Sequence, residues 1–333
     1  MNRRGISLGA LSRHRALLYG FAAAWILLFH MHFQLPNHPA LIPLQWFKAS
    51  GNAGVEMFLL LSGFGLYGSM SRDGSVLSFY RRRFSRVFLP SFIVVAVYYG
   101  LIATSSSSYV LKLTILPYWL GMRMFWYPPF ILGMYLLYPL IFHLQKRCPK
   151  AVVALWLLSY GVPLALHALL PGYVDCVERV WTRIPAFLLG CVLAPKVERD
   201  EKVSPWALPV LAALYVGLMW TRQWPLTRYA LTGSAGFMIL LLAWIAPWLA
   251  RGTIRRTIYR CLAFLGGVSL EVYLLQQRID TALGSLPIYA DGTNGWVKRD
   301  LFTLILTVLL AVALQKFCGL LRKQFAQTQI PEE

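Results

Sequence analysis

Apolar runs of about 20 residues recur along the whole of this chain, and the polar links between them are too short to build a core of their own. A helix of that length rises about 30 Å, the thickness of a bilayer's hydrocarbon core. With 58% hydrophobic residues in 333, the pattern predicts an all-α polytopic membrane protein rather than a soluble domain. About ten transmembrane helices are expected, near residues 16–36, 53–70, 86–104, 127–145, 151–171, 179–196, 205–221, 229–250, 260–279 and 301–321. No small-residue cleavage site follows the first run, which therefore reads as a retained helix and not a signal peptide. Residues 1–325 are expected to form one integral membrane domain, with 326–333 a polar tail. The chain shows no internal repeat, so the inverted-repeat signature of many transporters is missing.

A net charge of +19 would suggest nucleic acid in a soluble protein; between membrane spans its placement matters more than its total. The basic residues alternate from side to side. Arg3, Arg4, Arg13 and Arg15 fall on the same side as Arg81–Arg83 with Arg86, Lys146/Arg147/Lys150, Arg251/Arg255/Arg256/Arg260 and Arg322/Lys323. By the positive-inside rule that side is the cytoplasm, and both termini lie there. The expected partner of this charge is the lipid bilayer or an anionic ligand, with no role for nucleic acid. Five scattered cysteines lack CxxC spacing, so neither a metal site nor a disulfide framework is expected. Cys176, beside Asp175, reads as an inert thiol. The longest outer link carries Ser105–Ser108, Lys112 and the run TILPYWLGMRMFW, whose aromatic content suits a re-entrant or interfacial segment. The outer link 285–299, with Asp291, Gly292, Asn294 and Trp296, is either a contact for a polar acceptor or an ordinary solvated loop.

Ionisable residues inside apolar spans are expensive and mark candidate sites. His30 lies about 21 Å from the inner end of the first span, while His32, two positions on, points elsewhere. Glu56 enters the second span at a similar depth. Two readings stay open: a catalytic His30–Glu56 pair, or an interhelical hydrogen bond without chemistry. Ser62, Gly65 and Ser69 form a small-residue stripe suited to close approach by a helix or a thin ligand. Arg183 and Glu271 lie within later spans, where they either pair with each other or line a polar cavity. The segment FYRRRFSRVFLP is either a topology signal or a forked cradle for phosphates.

Several of these stretches, in order and at suitable spacing, resemble the acyltransferase-3 family of integral membrane O-acyltransferases. LLYGFAAAWILLFH is similar to the family's first-helix segment, whose functional histidine falls on His30. GVEMFLLLSGF resembles G-V-[DE]-x-F-F-x-[IL]-S-G-F, with the acid at Glu56, and SFYRRRFSRVFLP resembles F-x-x-[RK]-R-x-x-R-[IL]-x-P. RIPAFLLGCVLA and FLGGVSLEVYLLQQ resemble later segments. Three positions depart from the pattern. Tyr19 stands where the family has an arginine eleven residues before the histidine, with Arg15 one turn earlier. Gln276 replaces a histidine, and WYPPFILGMY lacks an acid.

The resemblance implies transfer of an acyl group, most often acetyl, from cytoplasmic acyl-CoA to a hydroxyl of a surface glycan or lipid-linked sugar. It implies the cytoplasmic membrane of a bacterium, without an appended SGNH-type hydrolase domain. Arg81, Arg82, Arg83 and Arg86, with the Tyr19 level, would hold the CoA, and its pantetheine arm would reach about 16 Å to His30. His30 would be the general base, Glu56 its orienter, and Ser62, Arg183 or Glu271 candidate oxyanion or acceptor contacts. Two alternatives remain: a proton-coupled carrier or flippase for an acyl group or lipid-linked saccharide, using His30 and Glu56 as the proton pair, and the same enzyme fold serving a cytoplasmic small-molecule acceptor.

Overall fold

Backbone in a bilayer has no water to bond to, and this chain satisfies its own N–H and C=O groups almost entirely in helices. The structure is a computed structural model and describes residues 5–34, 38–73, 75–101, 113–114, 116–121, 125–286 and 292–327. The order is β1 (Ile6–Ser7), α1 (Gly9–Arg13), α2 (Arg15–His30), α3 (Ile42–Ala49), α4 (Gly54–Asp73), α5 (Val76–Leu101), α6 (Leu116–Trp119) and α7 (Tyr127–Arg147). It continues with α8 (Pro149–Leu158), α9 (Val162–Leu169), α10 (Pro171–Trp181), α11 (Ile184–Glu198), β2 (Lys202–Val203) and α12 (Ala207–Trp220). The last four are α13 (Leu226–Leu249), α14 (Thr253–Gly267), α15 (Ser269–Gly284) and α16 (Gly292–Gln327). The Ser105–Ser108 run, Lys112, Asp291 and the tail from residue 328 lie outside the described residues, as does part of the TILPYWLGMRMFW run.

Six helical stretches among the described residues are long and apolar enough to span a membrane, or eight if two bent pairs each count as one. Hydropathy predicts ten. The two that fall short are α2, with 16 residues, and α12, with 14, which rise only about 24 and 21 Å. α2 stops at His30 because Met31 turns extended (φ −65°, ψ 141°). His30 is therefore the terminal residue of its helix rather than an interior one. The ninth run is broken: α14 and α15 meet at 77°, directly after Gly266–Gly267. α5 begins ten residues before the expected start, so all four arginines of FYRRRFSRVFLP are helical.

The apolar 18-residue core of the stretch 39–72 is 89% buried inside the protein, against 17% for that of 295–324 and 28% for that of 76–101. α4 is thus the central helix, and α5 and α16 present most of their surface outward. Met57, Leu59 and Leu61 of α4 are fully buried. α2 crosses α14 at a glycine contact. A Cβ on Gly266 would lie 1.9 Å from the Ala16 carbonyl oxygen, and one on Gly20 would lie 1.7 Å from that of Leu262. Only glycine at both positions allows the backbones this close.

Long-range polar contacts sort into two ends of the bundle. At one end β1 pairs antiparallel with β2, Ile6 opposite Val203 and Ser7 opposite Lys202. There Asp200 accepts hydrogen bonds from the Ser7 hydroxyl, the Gly9 N–H and Arg13. These donors, Ser7 foremost, hold the Asp200 carboxyl below the usual carboxylate range. His14 meets the Tyr259 hydroxyl at 3.0 Å at the same end. At the other end Asp300 accepts from the His32 and Phe33 N–H groups at 2.9 Å. Nearby, Lys48 Nζ donates to the Met31 carbonyl at 2.8 Å, and Glu178 accepts from Trp224 and Arg228.

Candidate functional site

α2 carries the site. Tyr19 and His30 are eleven residues apart, close to three whole turns, so both lie on one face about 16 Å apart along the axis. Arg15 is one turn below Tyr19 on nearly the same face, and its Nη2 donates to the Tyr19 hydroxyl at 3.2 Å. The guanidinium also packs on Gly65 of α4, where a Cβ would sit 2.7 Å from Arg15 Nη2. The small-residue stripe of α4 therefore admits an arginine, and Ser62, next along it, faces Tyr19 at 3.5 Å.

These residues open onto a cavity of about 410 Å³, within the range of small-molecule sites. Its inner part is cationic, with Arg15 from α2 and Arg83 and Arg86 from α5. No carboxylate is among the described residues that line it. Arg83 Nε is buried without a hydrogen-bond partner, a costly state for a charged donor unless an anion meets it. Farther along, the wall turns aromatic. Phe58 stacks on Tyr19 at 5.6 Å, and Tyr127 and Tyr273 touch with ring centres 4.8 Å apart. The helix directions set this order. α15 rises from the lining residues Ser269 and Leu270 to Tyr273 and then, one turn on, to Gln277. Gln277 Nε2 donates to His30 Nε2 at 2.6 Å. The aromatic end of the cavity and His30 are thus about 6 Å apart along α15.

His30 uses both ring nitrogens. Because Gln277 donates to Nε2, the proton sits on Nδ1, which donates to the Ile26 carbonyl at 2.9 Å. The imidazole is held as the tautomer whose Nε2 lone pair points toward α15, the form a general base needs.

Glu56 does not orient His30. Its Oε1 accepts from Arg183 Nε at 2.7 Å, with the two side chains 1% and 7% exposed. Arg183 also donates to Asn52 Oδ1 at 2.7 Å and lies over the Trp126 ring at 4.6 Å. This overturns two expectations at once, the His30–Glu56 pair and the Arg183–Glu271 pair. The physical reason is depth. Arg183 caps the start of α11, level with the first turn of α4, whereas Glu271 sits in the first turn of α15, toward the opposite end of that helix from Gln277 and His30. Glu271 is buried, at 6% exposure, beside the lining residues Ser269 and Leu270 without itself lining the cavity.

The arginine cluster divides. Arg83 and Arg86 line the cavity, whereas Arg81 and Arg82 are exposed and do not. Helical spacing explains the split, since 83 and 86 share a face three residues apart. Sequence reasoning missed two features. One is the aromatic end at Tyr127 and Tyr273. The other is the clasp beyond His30, where Asp280 is gripped by Arg299 at 2.7 and 2.8 Å and His32 Nδ1 lies 3.0 Å from Asp300. His32, Asp280 and Asp300 bring ligand-type atoms within 4.8 Å of one another. Both carboxylates already accept from N–H donors, so the cluster works as an ionic clasp between α15, α16 and the end of α2. Two aspartates at the ends of apolar runs were the available signal.

A family model described as an acyltransferase domain matches residues 17–316, which takes in α2 from Leu17 on, the cavity lining other than Arg15 and Ala16, His30 and most of the clasp helix α16. None of the curated proteins and none of the solved structures matches the chain.

Proposed function

The chain belongs to the acyltransferase-3 family, and from that premise we propose that it moves an acyl group, acetyl foremost, from acyl-CoA to a hydroxyl on a cell-surface glycan or lipid-linked sugar. That it is a multi-pass membrane acyltransferase follows from the family and the apolar helices. The finer reading rests on one observation. A cavity with three arginines, no acid among its described lining residues and a buried unpaired Arg83 N–H lies on the same face of α2 as His30. Phosphate groups suit the arginines, which present planar forks of donors. A thin, mainly apolar arm suits the tyrosine and phenylalanine walls beyond.

Within this reading each residue has a limited task. Arg15, Arg83 and Arg86 bind the phosphorylated part of the donor. Tyr19 and Ser62 line its path. His30 Nε2 takes the proton of the acceptor hydroxyl and returns it to the leaving thiolate. Arg183 is committed to Glu56 and Asn52, so its contribution is to hold Trp126 and the aromatic end in place; Ser62, at the Tyr19 level about 16 Å from the base along the axis, serves the donor's path and not the oxyanion. The basic clusters favour the cytoplasmic side for the Arg83 end and the outer side for His30, in keeping with the bacterial cytoplasmic membrane that this reading proposes. The carrier alternative depends on a proton shared by His30 and Glu56, and Glu56 is engaged elsewhere.

The test uses the full chain in proteoliposomes, with radiolabelled acetyl-CoA inside and a mixture of surface glycans outside. Acetyl ester should form on the outer glycan with wild type and fall at least about 100-fold with His30→Ala, while the variant's melting curve stays that of wild type. Undiminished transfer by well-folded His30→Ala removes His30 as the base. Label crossing the bilayer without covalent change supports a carrier instead.

A further inference from the structure

Beside His30, on the side away from the donor cavity, lies a second and much smaller cavity of about 20 Å³. Its polar lining is His30, Gln276, Asp280, Asp300 and Thr303. That volume admits one oxygen atom with its proton and little more. The carboxylates around it are already spoken for: Asp280 by the Arg299 fork, Asp300 by His32 and Phe33. Gln276 is different. It is 3% exposed, and its Oε1 is buried without a hydrogen-bond partner. The hydroxyl of Thr303 on the same lining is also buried without one, so one group placed between them can donate to Gln276 and accept from Thr303. A neutral acceptor in a one-oxygen space beside a base calls for a neutral O–H donor. A cation would meet Arg299 next door and carboxylates whose oxygens are in use.

The reacting hydroxyl cannot itself satisfy Gln276. It has one proton, and that proton goes to His30 Nε2 as the oxygen's lone pair forms the new C–O bond and the thioester C–S bond breaks; His30 then passes the proton to the thiolate. The small cavity has the size for a single water, and in the acceptor complex a second hydroxyl, close to the first, takes that water's place. We infer that the acceptor carries a vicinal diol: one hydroxyl takes the place of the exposed Gln277 amide at His30 Nε2, and its neighbour sits in the small cavity and donates to Gln276 Oε1. This rests on the reading of His30 as the base. Gln276 is on this account a specificity-determining residue, and it occupies the position where the resembling segment has a histidine.

The measurement is a comparison of two small probes, ethylene glycol and 2-methoxyethanol, as acetyl acceptors from acetyl-CoA with the purified protein in nanodiscs. The second probe has one hydroxyl masked. A site built to bond a hydroxyl discriminates strongly against an analogue lacking it. Wild type should prefer the diol at least about tenfold after the statistical factor of two. Gln276→Leu should lose that preference while its affinity for CoA stays within about twofold of wild type. No preference in wild type, transfer to neither probe, or a preference that survives in Gln276→Leu overturns the inference and leaves the donor site untouched. Absence of CoA binding by wild type is a separate outcome, which overturns the acyltransferase reading and this inference with it.

Discussion

At the residue scale, the site is governed by which charges have partners. Glu56 and Arg183 form a buried pair in which neither side chain reaches solvent. Such a pair adds little over a well-packed apolar pair, but removing one partner strands the other charge at a cost of about 3–5 kcal/mol. Glu56→Leu is therefore expected to lower thermal stability sharply in detergent, and Glu56→Leu with Arg183→Leu to recover part of the loss. A Glu56→Leu variant that melts with wild type contradicts this assignment. The pair was not legible in the sequence, because its members are 127 residues apart on helices with no short link between them. His30 and the arginines were legible for the opposite reason. Tyr19, Arg15 and His30 share one helix, and Arg83 and Arg86 share another, so helical periodicity alone nearly places them.

At the scale of elements, hydropathy located the helices better than it located their ends. The run at 260–279 reads as one span, yet the structure bends it by 77° between α14 and α15. The bend follows two glycines, and it is what lets Ser269, Leu270 and Tyr273 turn into the cavity. Gly266 serves twice, lining the cavity and meeting Ala16 across the α2–α14 crossing. Adding a single methyl there forces the two backbones apart, because the atom it meets is a carbonyl oxygen and not a flexible side chain. Gly266→Ala should cost at least about 1–3 kcal/mol of stability and weaken CoA binding along with it. An unchanged melting temperature, measured by differential scanning fluorimetry, goes against the close crossing. The short α2 was misjudged in length because apolar Met31 and Phe33 continue past the point where the backbone leaves the helix, whereas α12 ends at polar residues 221–223, close to its expected bounds.

At the scale of the whole molecule, the bundle has a chemically distinct pair of ends joined by α2. One end gathers the β1–β2 ribbon, Asp200 and the arginines of the cavity. The other gathers His30, the Asp280–Arg299 and His32–Asp300 clasp, and the small polar cavity. The two ends were foreshadowed by the alternation of basic links, whereas the clasp depends on three separate helix ends meeting and had no local pattern to announce it. This polarity gives the protein its proposed direction of work, with the donor held near one face and the base presented near the other. The central claim is that binding and chemistry are separated along α2. Its most direct test is to measure acetyl-CoA affinity and slow hydrolysis on the same purified samples of wild type, Arg83→Ala with Arg86→Ala, Arg81→Ala with Arg82→Ala, and His30→Ala. The account predicts that the Arg83/Arg86 variant loses affinity at least about tenfold, since hydrogen bonds to charged groups contribute about 1.5–3 kcal/mol each. The Arg81/Arg82 variant should bind nearly as wild type, and His30→Ala should bind normally without hydrolysis. Equal loss of affinity in both arginine variants, or hydrolysis that persists without His30, contradicts it.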